Sequence, residues 1–252
     1  MADTDLLTLK RAKAGNIRKV LDAVVAVAPM SAPVPETFTV AGALQELPPE
    51  YRTIGWVSKK DGYKWSRDTD SSDIESHGSV EPTRRDITKD VTGLAMTAQE
   101  TSRLTLELSN NVDLSEARLV DGELSYTRQV APSTRYWRLI AIGIDGSGSD
   151  AFYVINVLPR ATISEYGELT WSDEDALTYP LTWSATVDQD LKYSFRQVLA
   201  GPGFESRAAD MDFSGDSPSP SPSPEPAPKP PRGGNGSGSG SDDDAAKPGP
   251  TK

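Results

Sequence analysis

Leu177, Tyr179, Leu181, Trp183, Ala185 and Val187 alternate with Thr178, Thr182, Ser184 and Thr186, the cleanest periodicity in the chain. A period of two predicts a strand with one face in a core and the other polar. Tyr193 and Phe195 extend the pattern into a last strand. Arg135 to Asp145, rich in Ile, Tyr and Trp, reads as a strand ended by the turn Asp145-Gly146-Ser147-Gly148-Ser149, with Ala151 to Leu158 as its hairpin partner. Near the start, the β-branched run from Ile17 to Val27 predicts a first strand, closed by Pro29, Pro33 and Pro35. Thr53 to Ser58 and Gly62 to Ser66 predict two short strands around Lys59-Lys60-Asp61-Gly62, whose Asp-Gly pair is a hairpin signal. β character resumes from about Thr83 to Ala98. Leu104, Leu106 and Leu108 fit a strand, whereas Leu104 and Leu108 alone fit a helical face. The capping-box form Thr97-Ala98-Gln99-Glu100 and the stop at Asn110-Asn111 tip the element toward a helix over about 100–110.

Breaks in these patterns set the boundaries. Residues 1–16 carry no clean period and read as an N-terminal arm that is disordered or ordered only against a neighbour. Glu36 to Arg52 is a long connection of the kind that holds contacts with something else. Residues 59–80 form a second, charged loop, because Arg67 to Val80 is almost entirely polar. From about Glu205 the chain loses its aromatic and branched residues, apart from Phe213. It becomes a Ser-Pro repeat (Ser217 to Pro231), a Gly-Ser spacer (Gly233 to Ser241) and an acidic cluster (Asp242 to Asp244). Such composition cannot bury apolar surface, so 205–252 reads as a disordered tail and 17–204 as one β domain. All five tryptophans and all eight tyrosines lie within that domain. The expected fold is mainly β, a sandwich or barrel with one flanking α-helix.

Chemistry is hard to find. The absence of cysteine excludes disulfides, thiolate nucleophiles and cysteine-ligated zinc. The one histidine, His77, sits in the charged loop without apolar context, where a solvated side chain is the ordinary outcome. Asp68, Asp70, Ser72 and Asp73 resemble the start of a calcium loop. The sixth position, however, is Asp73 where glycine is wanted, and the twelfth is Ser79 where a bidentate acid is wanted. No phosphate-cradling or dinucleotide-binding glycine motif is present. Carboxylate pairs such as Glu165 and Glu168 fall in apparent turns. The reading is therefore not an enzyme, with no catalytic residue, cofactor or metal. No apolar run reaches the roughly 20 residues that span a bilayer. The net charge of −11 gives no general attraction for nucleic acid, which is bound through Lys and Arg.

At this point the layout resembles a known family. The strand from Arg18 to Val27 running into Ala28-Pro29-Met30-Ser31-Ala32-Pro33 looks like the opening of major tail proteins of phages that infect actinobacteria. Thr53-Ile54-Gly55-Trp56-Val57-Ser58 is similar to their Gly-aromatic-Val/Ile-Ser strand. Val91 to Glu107 resembles their strand-then-helix unit, with Glu100-Thr101-Ser102 where the family has Glu-Thr-Asn. The resemblance spans Arg18 to Phe204. It implies a tail tube subunit: a β-sandwich assembled as hexameric rings that stack into the DNA-conducting channel of a non-contractile tail. The lumen would be acidic, so that DNA passes without specific binding. The implied partners are further copies of the chain, the tape measure protein and tail-end proteins, with no membrane. The implied location is the virion tail, assembled in the bacterial host cytoplasm. By the family's pattern the loop at 59–80 reaches the adjacent ring, which makes Lys59, Lys60, Trp65, Arg67, Asp68, Asp70, Asp73 and Glu75 its candidate assembly residues. A reading from another class is a β-sandwich binding module, an adhesin or carbohydrate-binding domain on a flexible linker. A soluble monomer with a saccharide-protectable tryptophan would favour it.

Overall fold

Ten strands, three short α-helices and three single turns of 3-10 helix occur in the computed structural model, which describes residues 5–213. In chain order the strands and α-helices are α1 (Leu6–Lys10), β1 (Asp22–Pro29), β2 (Thr39–Val40), β3 (Ala43–Leu44), β4 (Arg52–Thr53), β5 (Lys64–Ile74), β6 (Arg84–Ala98), α2 (Arg103–Asn110), β7 (Trp137–Asp145), β8 (Phe152–Tyr166), β9 (Tyr179–Ala185), β10 (Arg196–Ala200) and α3 (Pro202–Glu205). The main sheet is antiparallel and runs β4-β1-β7-β8-β9-β6-β5. One edge of the long β8 is shared: Tyr153 to Val157 pair with β10, and Ala161 to Tyr166 pair with β9. The sheet forks there and curls on itself.

The curl encloses the main core. Val25 and Val27 of β1, Leu139 of β7 and Leu158 of β8 meet Leu94 and Met96 of β6 and Leu181 and Trp183 of β9. Leu104 and Leu108 of α2 and Ile54 close this cluster. β9 follows the alternation expected of it, with Tyr179, Leu181, Trp183 and Ala185 buried and the residues between them partly exposed. β1 is buried on both faces from Val25 to Ala28, because a second cluster forms behind it. That cluster takes Ala32, Phe38 and Tyr51 from the connection that follows β1, and Ile140, Ile142, Ile155 and Val157 from β7 and β8. The connection between Glu36 and Arg52 thus covers a sheet face of its own chain. Tyr51 marks the seal: its hydroxyl donates to the Pro33 carbonyl at 3.1 Å, and burial pushes its pKa up to about 12.

Several boundaries differ from the sequence expectation. Residues 59–80 are mostly not a loop: Lys64–Ile74 is a strand, leaving a turn at Lys59 to Asp61 and a tip between Glu75 and Thr83. The turn at Lys59 does not pair 53–58 with 62–66. Its Asp61 and Gly62 amides fold back on Ser58, and β5 pairs with β6 instead. The capping box at Thr97 is not a helix start either. β6 runs through Ala98, and Glu100 accepts the Trp56 amide at 2.8 Å. The helix begins later, capped by Ser102, whose hydroxyl accepts the Thr105 amide at 3.1 Å. Ser102→Ala is therefore expected to cost about 1 kcal/mol of stability, read from urea unfolding, whereas Thr97→Ala leaves the helix start unaffected.

The first strand starts at Asp22, and the last runs over Arg196–Ala200, beyond Tyr193 and Phe195. The fold also continues past Glu205, to Phe213. Phe204 stacks edge-on against Phe152 at 5.7 Å between centroids, and Phe213 against Phe204 at 6.0 Å. This segment ties down the end of the arm, since Arg207 donates to the Gly15 carbonyl at 3.1 Å and Asn16 to that of Asp210 at 3.2 Å. The remainder of the 205–252 tail lies outside the described residues.

Candidate functional site

β5 and β6 leave the body of the domain as a two-stranded hairpin. Their register pairs Trp65 with Leu94 in the core, then Arg67 with Thr92, and continues to Ile74 opposite Arg84 at the tip. Beyond Trp65 every residue of β5 is exposed. A hairpin with both faces in water gains nothing from burial and is marginal by itself. Here its stem is laced by ions. Arg67 forks onto Asp90 at 2.7 and 2.6 Å, and Arg85 onto Asp73 at 2.7 and 2.9 Å. Lys89 bonds Asp68 and lies 3.9 Å from Asp70, and Arg84 meets Asp86 at 2.9 Å. Donation by Arg67 holds the Asp90 carboxyl below its usual range, and Arg85 does the same for Asp73. Exposed pairs of this kind add little stability each. Their consequence is geometric, because they hold two polar strands in one register.

The eight candidate residues therefore separate into three groups. Arg67, Asp68, Asp70 and Asp73 are paired within their own stem, where their charges straighten the hairpin. Trp65 is not a loop residue at all: its half-buried ring packs on the core and meets Phe195 edge-on at 6.2 Å. It roots the hairpin. Lys59 and Lys60 stand exposed in the turn at the root, and Glu75 stands exposed at the tip. Asp68, Asp70, Ser72 and Asp73 lie along an extended strand, so they do not curl into the calcium loop their spacing resembles. His77 sits in the exposed tip turn beside Gly78, whose φ of +86° favours glycine.

Two features were missed by sequence reasoning. The far half of the hairpin carries exposed apolar side chains: Val80 in the tip is fully exposed, and Ile74 at its base and Ile87 in the stem opposite Ser71 are at least half exposed. At the root, where the sheet forks, the layers splay and leave a groove of about 880 Å³. Its lining includes Ala23, Tyr63, Trp65, Ala141, Phe195 and Gln197, with the Arg67–Asp90 pair at its rim. Its lining comes from segments far apart in the chain, around Ala23, Tyr63, Ala141 and Phe195, so no local signal announces the groove. The domain also presents free strand edges: among the described residues β5 pairs only with β6, and β10 only with β8. No helix among the described residues is long and apolar enough to cross a membrane. The arrangement offers free strand edges, a projecting hairpin and a groove at its root.

A family model described as phage tail tube protein matches residues 12–198, a stretch that contains the hairpin, the groove and most of β10. Among solved structures, the chain is similar to one in the sixfold-symmetrised cryo-EM structure of the anti-feeding prophage baseplate. Identity is 12%, coverage 71% of this chain and 93% of that one, and the TM-score 0.34. That likeness is too weak to carry an argument. No curated protein matches.

Proposed function

The chain belongs to the phage tail tube protein family, and from that premise we propose that it polymerises as stacked hexameric rings around a DNA-conducting channel. Membership makes it a structural protein of the virion tail. The observation that carries the finer reading is that, among the described residues, β5 and β10 each keep an unpaired edge, as does the two-residue β4. An unpaired strand is a template for another chain, and proteins that keep such edges cover or pair them. Joining the sheets of neighbouring copies would satisfy both edges and close the ring. The hairpin then extends along the stacking direction toward the next ring, a heterologous contact that propagates without closing. The negative charge of the chain keeps DNA phosphates from gripping the wall, so the genome slides through a non-contractile tube at ejection. Tape measure and tail-end proteins would bound the tube, which would assemble in the cytoplasm of an actinobacterial host.

Light scattering across a concentration series, with negative-stain microscopy of the same samples, tests this reading. The expected result is a sharp rise in mass above a threshold concentration, with hollow tubes on the grid. A strict monomer at every concentration, with a tryptophan protected by saccharide, would replace the tube with the binding-module reading.

A further inference from the structure

We infer that the root groove is the receptor for the hairpin tip of the next copy, so that Val80 of one chain is seated between Tyr63, Ala141 and Phe195 of its neighbour. The inference rests on the tube reading and identifies the contact that would propagate the stack. Three observations carry it.

The first is reach. The groove lies at the base of the hairpin, with Arg67 and Asp90 on its rim. The stem from Arg67 to Ile74 extends roughly 25 Å at the usual rise of a strand. Displacing a copy along the hairpin by that length sets its root where the first copy's tip ends. One repeated translation thus brings every tip to a root, as a heterologous contact requires.

The second is chemistry. Val80 in the tip turn, Ile74 at its base and Ile87 in the stem are apolar side chains left in water. The groove presents an apolar wall of Ala23, Tyr63, Trp65 and Phe195 that is open among the described residues. Each surface is the kind the other would cover.

The third is charge. Each charged residue of the stem has a partner within the hairpin, with Lys89 shared by Asp68 and Asp70, which leaves Glu75 and Glu81 as the charges of the tip turn. The root is basic on balance, three lysines against Asp61. Lys59 and Lys60 sit in the turn that delivers Gly62 and Tyr63 to the groove, and Lys64 follows. None of these three lysines enters a salt bridge among the described residues. An acidic tip steered to a basic root gives the contact a fixed direction.

The absence of cysteine makes the test clean. Val80→Cys and Gln197→Cys, both at exposed positions, are combined in the full-length chain, which is polymerised and oxidised. The expected result is a ladder of disulfide-linked oligomers that neither single variant gives. In parallel, Val80→Asp is expected to raise the polymerisation threshold at least tenfold with an unchanged monomer melting temperature. The charge-reversed chain Lys59→Glu/Lys60→Glu is expected to lose assembly, and Glu75→Lys/Glu81→Lys in the same chain to restore it. Polymers that form without the ladder, together with a Val80→Asp chain that assembles like the unaltered protein, would overturn the inference and leave the tube reading standing. An unaltered chain that forms no polymer at all would overturn the tube reading, and this inference with it.

Discussion

Replacing residues 69–90 by an Asn-Gly turn is expected to abolish polymerisation while leaving a folded monomer. Asp68 and Val91 are directly paired, so a two-residue turn closes the shortened hairpin on its existing register. What is removed is exposed, and neither core cluster draws a residue from it. Trp65, Leu94 and Met96, which hold the root, remain. The melting temperature should therefore move by no more than a few degrees. Above the threshold concentration of the unaltered chain, the truncated one should stay in the supernatant on ultracentrifugation. A truncated chain that pellets normally would show that the hairpin is dispensable for stacking. A large loss of melting temperature would show instead that the stem supports the domain.

The second large effect is expected inside the domain. Asp188 and Arg138 form a buried pair at 3.2 Å, with side-chain exposures of 3% and 12%. Arg138 also donates to the carbonyls of Met30, beyond β1, and Pro159, within β8. The other oxygen of Asp188 accepts the amides of Asp190 and Leu191, both at 2.9 Å. One carboxylate thus joins the β9–β10 turn to both sheet layers. Asp188→Ala strands a buried guanidinium and uncaps the turn, a loss of about 3–5 kcal/mol, equivalent to roughly 10 °C in melting temperature for a domain of this size. Asp188→Asn keeps an acceptor for the turn and should recover part of it.

The same group gives a pH dependence. Burial alone would raise the carboxyl's pKa, but the two turn amides and Arg138 together outweigh it, and the net shift is downward. A depressed carboxyl stabilises the fold fully above its unfolded value, near 3.9, and that contribution is lost as the pH falls through the lower folded value. Acid unfolding of the unaltered domain should include this loss, and Asp188→Asn should flatten the profile below about pH 4. An equally steep profile in the variant would assign the acid sensitivity elsewhere.

Some of this was open to inspection in the chain itself. β9 was legible because Tyr179, Leu181, Trp183 and Ala185 share a buried face, and burial on one side is what writes alternation into a sequence. β5 was not legible for the converse reason. With water on both faces, Lys64 to Ile74 needs no alternation, and its Asp and Ser content reads as loop. Only its cross-strand partners, Asp90, Lys89 and Arg85, show that its charges are placed in register. The capping box misled because Glu100 has the right spacing for a helix start but is used by the Trp56 amide across the sheet. The C-terminal boundary was set too early because composition averages over single residues. Phe213 is anchored by Phe204, which directly follows Gly203, where a Cβ would stand 2.3 Å from the Asp150 carbonyl oxygen. For the candidate assembly residues, the division among stem, root and tip was not readable in the sequence. Pairing within the stem, rooting by Trp65, and opposite charges at the two ends depend on which strand β5 meets.

The central claim is tested most directly by cryo-electron microscopy of the polymer formed by the unaltered chain. The account predicts stacked sixfold rings around an open lumen, with the β5 and β10 edges paired to neighbouring copies and each hairpin crossing to the next ring. Filaments without a lumen, or rings whose hairpins end in solvent and whose strand edges stay unpaired, would contradict it.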